Sequence, residues 1–197
     1  LPAVDHGERF IPTREQVHAL AAALPGRYRA AVYLAAGCGL RPSELLGLEV
    51  DGVDFLRRQV TVRQQLLFRK GHGVYLGPVK TKTSARTVEL PDNVAASLAR
   101  QLAEHPVSGA EIEDATDRRS VVTREARLLF TTDLSGLHRG AWSRVWRPAV
   151  ERVDGIPDGF GLHGLRHYYA TLLIHAGASV KTVQLSLGHS TPTVTLG

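Results

Sequence analysis

The chain has 197 residues, enough for one sizeable domain with a full core, and its 43% hydrophobic and 22% charged content are those of a globular protein. Its longest apolar run, Ala30 to Leu40, is too short and too broken by glycine to span a membrane, and no leader-like segment opens the sequence. A net charge of +5, carried by 24 basic residues of which only four are lysines, favours an anionic partner and bidentate arginine contacts, with nucleic acid leading. There is no methionine, so the chain is expected to be a piece of a longer protein. The single Cys38 cannot form an internal disulfide and reads as a buried thiol in a reducing, cytoplasmic setting.

In chain order, Thr13 is placed to cap a first helix, with Gln16 completing a capping box. Val17, Leu20, Ala21 and Leu24 form its apolar stripe, and Pro25-Gly26 ends it. Tyr28 to Ala36 is apolar on nearly all sides and predicts a buried helix stopped by Gly37 and Gly39. Pro42 then suits the first position of a short helix, PSELL, which leaves Arg41 just ahead of a helix N-terminus. Flanked by Leu40 and Leu45-Leu46, Arg41 is expected to face a cleft, although pairing with Glu44 at the surface is the plainer alternative.

Residues 50 to 90 change period. Val53 to Phe55, Gln59 to Phe68, Val74 to Lys80 and Arg86 to Leu90 predict short strands of a small antiparallel sheet. Its last hairpin would carry Lys80, Lys82 and Arg86 around a Lys82-Thr83-Ser84 turn. Pro91 to Glu104 is an amphipathic helix, and His105 to Glu125, polar and aperiodic, predicts a long mobile surface loop. Leu128 to Phe130 reads as a short buried extended piece. His138 to Arg152 reads as a helix with Trp142, Val145 and Trp146 inward.

The stretch from Gly161 to Ser190 predicts a helix, a glycine stop, a second helix and a histidine after its end. His163 and Arg166, three apart, leave one helical face, and Gly188 turns the chain so that His189 can join them. One arginine and two histidines in a common pocket suit a phosphate, since they offer fixed donors and a proton acceptor without a metal. His163 and His167, four apart, could instead share a metal ion, but no acidic residue lies between them as in a zinc-protease helix.

The segments GCGLRPSELLGL, PVKTKTSARTVELP, LHGLRHYYATLLIHAG and LGHS, in that order, resemble the catalytic domain of the tyrosine recombinases, the phage-integrase family, over the chain from about Phe10 onward. The resemblance implies a mainly α-helical α+β fold with a small three-stranded antiparallel sheet at one edge. It also implies site-specific cutting and rejoining of DNA through a 3′-phosphotyrosyl link, without metal, ATP or other cofactor. Mapped by motif, Arg41 and Arg166 would fork onto the non-bridging phosphate oxygens, and His189 would add a hydrogen bond. His163 would accept the nucleophile's proton or hold the phosphate. Lys80 in the KT pair would protonate the departing 5′-oxygen, with Lys82 as the alternative. Glu44 and His167 match supporting positions, and Arg86 is expected to contact DNA.

The family's nucleophilic tyrosine would fall just past Gly197, and none of Tyr28, Tyr33, Tyr75, Tyr168 and Tyr169 occupies its place. The chain as given is therefore expected not to cleave DNA itself, and the family's N-terminal DNA-clamping domain is expected outside it. The partners implied are double-stranded DNA and, for the full-length protein, a homo-tetramer on DNA. The arginine-rich composition leans toward integrases of mobile elements. A DNA-binding remnant of an integrase and an enzyme like the type IB topoisomerases are the alternatives.

Overall fold

The computed structural model describes residues 10–117, 119–130 and 139–188, apart from the side chains of Lys82 and residues 139–141. Helix α1 (Arg14–Ala23) starts as its sequence dictates: the Thr13 side chain accepts from the Gln16 backbone, and Gln16 reaches back to the Thr13 N–H. A single turn of 3-10 helix at Gly26–Tyr28 leads into α2 (Arg29–Cys38), whose Ala30, Val32, Leu34, Ala35 and Cys38 are all fully buried. A helix apolar on every side has to be surrounded. It packs against α1, against α4 (Asp92–Glu104) and against α6 (Leu162–His175), and so forms the centre of the core. Burial pushes the Cys38 thiol up to about 12, which leaves it an inert part of that core.

The small antiparallel sheet is present: β1 (Val53–Asp54), β2 (Gln59–Val62) and, across it, β5 (Arg86–Glu89), with Val60 opposite Val88. Its inward residues Val60, Val62 and Val88 rest on the core by simple alternation. The run from Gln59 to Phe68 is not one strand, however. The chain changes sheet at Arg63, and β3 (Gln64–Arg69) pairs with β4 (Gly73–Pro78) in a second sheet, ordered β3-β4-β6-β7. Strands β6 (Ala110–Asp114) and β7 (Val122–Ala126) occupy the region expected to be a mobile loop. Their charges hid them. Arg124 donates to Glu49 and to Asp114, each at 2.6 Å, so residues that look solvated are partners of one another. Because β4 pairs with β3 and β6 while β5 pairs with β2, Lys80 to Ser84 is no hairpin tip. It is a bridge between the two sheets, tightened by a 3-10 turn at Lys82–Ser84.

Leu128 is extended and pairs with Glu49, as expected of a short buried piece. Helix α5 (Arg139–Glu151) turns Trp142 and Trp146 inward, and Trp146 Nε1 donates to Phe160 O at 2.6 Å, which fixes the entry to α6. Helix α7 (Val180–Leu187), capped by Ser179, ends at Gly188. Among the described residues, no helix is long and apolar enough to cross a membrane.

Gly37 stays inside α2, and the stop belongs to Gly39 alone, in the left-handed region at φ 64°. A Cβ there would also overlap the Tyr169 ring. Gly39→Ala is therefore expected to lower unfolding free energy by about 2 kcal/mol or more, from the left-handed penalty plus the clash. Urea titration measures this, and an unchanged midpoint would contradict it.

Candidate active site

Gly39 reverses the chain so that Leu40 is buried and Arg41 stands as the N-cap of α3 (Pro42–Leu46), extended as a residue before proline must be. From the first turn of α3, Glu44 turns back into the protein with only 2% of its surface exposed. Its Oε2 accepts from the Arg41 backbone N–H at 2.9 Å and from Arg86 Nη2 at 3.0 Å, and its Oε1 accepts from Arg41 Nη1 at 2.7 Å. Burial alone would raise the Glu44 carboxyl, but the Arg86 charge and the hydrogen bonds from both arginines outweigh it and hold the group below the usual range.

The arginines are also held from the opposite side, by the C-terminal end of α7. Three successive carbonyls there each receive a different guanidinium. Arg86 Nε donates to Ser186 O at 2.9 Å, Arg166 Nη2 to Leu187 O, and Arg41 Nη2 to Gly188 O at 3.2 Å. Arg166 spends its other amino group on Gly39 O, the carbonyl that closes α2. Two helix C-termini thus converge on Arg166, each presenting unpaired carbonyls and the negative end of its dipole. Gly188 supplies the required turn at φ 63°, and a side chain there would meet Thr83 O at 2.9 Å.

Within this cluster three guanidiniums meet one carboxylate. Arg166, 2% exposed, bears the consequence: burial first, then the nearby Arg41 charge, pull it down to about 9. It still holds its proton at neutral pH, and the attraction of a nearby anion would offset both effects. Arg41 is the outermost of the three, with 20% of its side chain exposed. It opens onto a cleft of about 940 Å³ lined also by Leu66, Phe68, Trp146, Phe160 and His163.

Arg41 and Arg166 are therefore brought together as expected, and His163, at the exposed start of α6, shares the cleft with Arg41. His167 lies one turn on, its ring edge-on to His163 with centroids 4.7 Å apart. Among the described residues no three His, Cys, Asp or Glu side chains gather as a metal-ligand group. Lys80 is exposed, on a segment tied to the cluster through Ser84. That serine is fully buried, its Oγ accepts from Arg41 Nη1 at 3.2 Å, and it lies 2.9 Å from Thr81 Oγ1. The Lys82 side chain and His189 lie outside the described residues, His189 directly after the carbonyl that Arg41 holds.

Arg86, expected to contact DNA, lies inside the cluster: 7% of its side chain is exposed, and its donors go to Glu44, Ser84 O, Ser186 O and Gly39 O. It buttresses Glu44 from within. Ser84 and Tyr169, whose ring packs on Gly39, are parts of the site that lie within the motif segments but had no role assigned to them.

A sequence profile described as the phage integrase family matches residues 12–196. A tyrosine recombinase XerC-like protein from Caldanaerobacter subterraneus subsp. tengcongensis is 32% identical over 193 residues, covering 92% of this chain and 47% of the relative. The integrase of Mycobacterium phage D29 is 30% identical over 91% of this chain and 45% of its own length, so the chain spans about half of the curated relatives it matches. Among solved structures, the Tn1549 transposon integrase in complex with transposon right end DNA superposes with a TM-score of 0.81 at 24% identity, over 99% of this chain and 62% of that one. The catalytic domain of bacteriophage HP1 integrase gives 0.58 at 18% identity, over 96% of this chain and 86% of that one.

Glu44 makes the cluster sensitive to acid. A carboxyl held below its ordinary value of 4.5 contributes stability that is fully present above that value and lost as pH falls through the depressed one. Glu44→Gln should destabilise the protein at pH 7 by about 3 kcal/mol, because it removes one side of a buried ion pair. It should also flatten the fall in stability below about pH 4.5. Denaturant titrations of both proteins from pH 7 to pH 3 measure the two effects, and parallel curves would rule them out.

Proposed function

The chain belongs to the phage integrase family, and on that premise we propose that it is the catalytic domain of a cytoplasmic site-specific DNA recombinase that breaks and rejoins strands through a 3′-phosphotyrosyl intermediate. The observation that carries this reading is the excess of buried positive charge: Arg41, Arg86 and Arg166 around the single Glu44, opening to solvent through Arg41. Such a site is built before its anion arrives and stabilises charge that grows in the transition state.

In this reading Arg41 and Arg166 grip the two non-bridging oxygens of the scissile phosphate. His189, following the Gly188 turn, hydrogen-bonds one of them. A tyrosine oxygen attacks phosphorus while His163 accepts its proton or holds the phosphate. The bond from phosphorus to the 5′-oxygen breaks, and Lys80, or Lys82 beside it, supplies the proton that turns the leaving oxygen into a hydroxyl. Rejoining runs the same steps backward. Glu44 and His167 keep the donors in place.

The attacking tyrosine is assigned to the native chain after Gly197, because the five within this chain are otherwise engaged. Tyr28 packs edge-on against Trp142, Tyr33 meets His18, Tyr75 lies under Arg69, Tyr168 packs on the core and Tyr169 leans on Gly39. Burial also raises the Tyr169 hydroxyl, which disfavours the phenolate. Double-stranded DNA is the substrate, the full-length protein works as a homo-tetramer on two duplexes, and mobile-element integration is the class of event. Family membership and the exposed, arginine-rich composition support these assignments.

Two expectations follow for DNA. Residues 1–197 alone should bind duplex DNA weakly and without marked sequence preference, with affinity that falls steeply between low and physiological salt, because phosphate contacts dominate. Salt-independent binding in a fluorescence titration would contradict this. The full-length protein should form a covalent adduct with a suicide duplex in the presence of EDTA, since arginines and a lysine carry the charge that a metal carries in nucleases. Arg166→Ala should reduce adduct formation by roughly 100-fold or more while changing DNA affinity little. An adduct that EDTA prevents would overturn the mechanism.

A further inference from the structure

Helix α3 has five residues, too few to hold a position by its own hydrogen bonds. Its place is set by β3. Gly47, at its C-cap, has no side chain, and a Cβ there would come within 2.6 Å of the Leu66 backbone nitrogen, so the end of the helix lies against the strand itself. Two consecutive glutamines of β3 then tie down its two ends. Gln64 Nε2 donates to Gly47 O at 2.9 Å. At the other end, Ser43 Oγ donates to Gln65 Oε1 at 2.9 Å.

Gln65 has a second bond. Its Nε2 donates to Pro78 O at 2.8 Å. A carbonyl can only accept, so the amide must present its nitrogen to Pro78, and that leaves its oxygen for the serine hydroxyl. The side chain is used at both ends, and each end matters for a different part of the site. Ser43 is two residues after Arg41, in the first turn of the helix that Arg41 caps. Pro78 is the last residue of β4 and two residues before Lys80.

Beyond Pro78 the chain leaves its sheet and crosses to β5, so Val79 to Thr83 runs between two fixed points. The far point is Ser84, buried and hydrogen-bonded to Arg41. The near point is Pro78, which is paired with Gln64 in the β3–β4 ladder and joined by the Gln65 side chain to Ser43 in the first turn of α3. Lys80 stands beside the near one.

We propose that Gln65 is a positioning residue for the proton-donating lysine: its amide fixes the strand end that launches Lys80 relative to the helix that carries Arg41. The lysine is thereby set against the leaving oxygen of the phosphate that Arg41 grips. This rests on the strand-cleavage reading above and adds to it a residue that touches neither phosphate nor leaving group.

The test uses full-length protein and single-turnover cleavage of two suicide duplexes, one with the natural 5′-oxygen leaving group and one with a 5′-bridging sulfur, which departs without a proton. Gln65→Glu keeps the size of the side chain and an acceptor for Ser43 but turns an oxygen toward Pro78 O. It should slow cleavage of the oxygen substrate about tenfold or more, as displacement of a catalytic group does, and leave the sulfur substrate within about twofold of wild type. In a Lys80→Ala background the same change should add nothing. Ser43→Ala, a smaller perturbation that leaves Gln65 in place, should show the same preference for sulfur to a lesser degree, and it carries the test if Gln65→Glu fails to fold. Equal losses on both substrates, or no loss on oxygen, overturn the assignment of Gln65 and leave the recombinase reading standing. If wild type forms no adduct with either substrate, that reading falls and Gln65's role falls with it.

Discussion

The arginine cluster of the candidate site depends on the C-terminal end of α7. The carbonyls of Ser186, Leu187 and Gly188 have no partners within the helix, and each is taken by an arginine from a different part of the chain: the start of β5, the first half of α6 and the cap of α3. Three segments far apart in sequence are thus registered against one another by three neighbouring atoms. Arg166 extends the same device to α2 through Gly39 O. Losing any one arginine would strand a carbonyl in a buried place, a cost of about 1–3 kcal/mol before any lost attraction is counted.

The two glycines that end α2 and α7 are the backbone counterpart of this arrangement. Both are left-handed, at φ 64° and 63°, and both are in tight contact, Gly39 with the Tyr169 ring and Gly188 with the backbone of Thr83 and Ser84. Each turn therefore does two things at once. It directs helix-end carbonyls at an arginine and lets a neighbouring element approach closely. The second sheet adds support from outside, because Arg124 binds Glu49 and Asp114 together and so ties β6 and β7 to the chain that leaves α3.

Legibility from sequence followed the physics of each part. Helices with strong apolar patterning, a capping box or a glycine stop were plain, as were Arg41, Glu44, His163 and Arg166, which sit in short motifs at helix ends. Strands β6 and β7 were not, because half their residues are charged and only Ile112, Asp114 and Ala126 among them are buried. Nothing local distinguishes Glu113 or Arg124 from a solvated loop residue until the partner across the fold is known. The same holds for Arg86. Following two lysines in a polar turn, it looks exposed, yet Glu44, forty-two residues earlier, draws it inside. The break at Arg63 was equally hidden, since a continuous β-rich run carries no sign that its halves pair in different sheets.

The choice of partners also explains how so much positive charge can be both rigid and available. A carboxylate for every arginine would fix the side chains equally well, but it would cancel the field that a phosphate must meet. Backbone carbonyls are strong acceptors without net charge, so they set geometry and leave the guanidiniums cationic. Glu44 is the exception that makes the cluster foldable: it neutralises one charge of three, and touches Arg41 and Arg86 while leaving Arg166 to carbonyls alone. The remaining imbalance is carried as a penalty, visible in Arg166 being pulled down to about 9 by burial and by Arg41. An anion beside Arg41 would offset that penalty, whereas an uncharged ligand would not, so the positive charge left over inside the fold favours an anion over any neutral competitor.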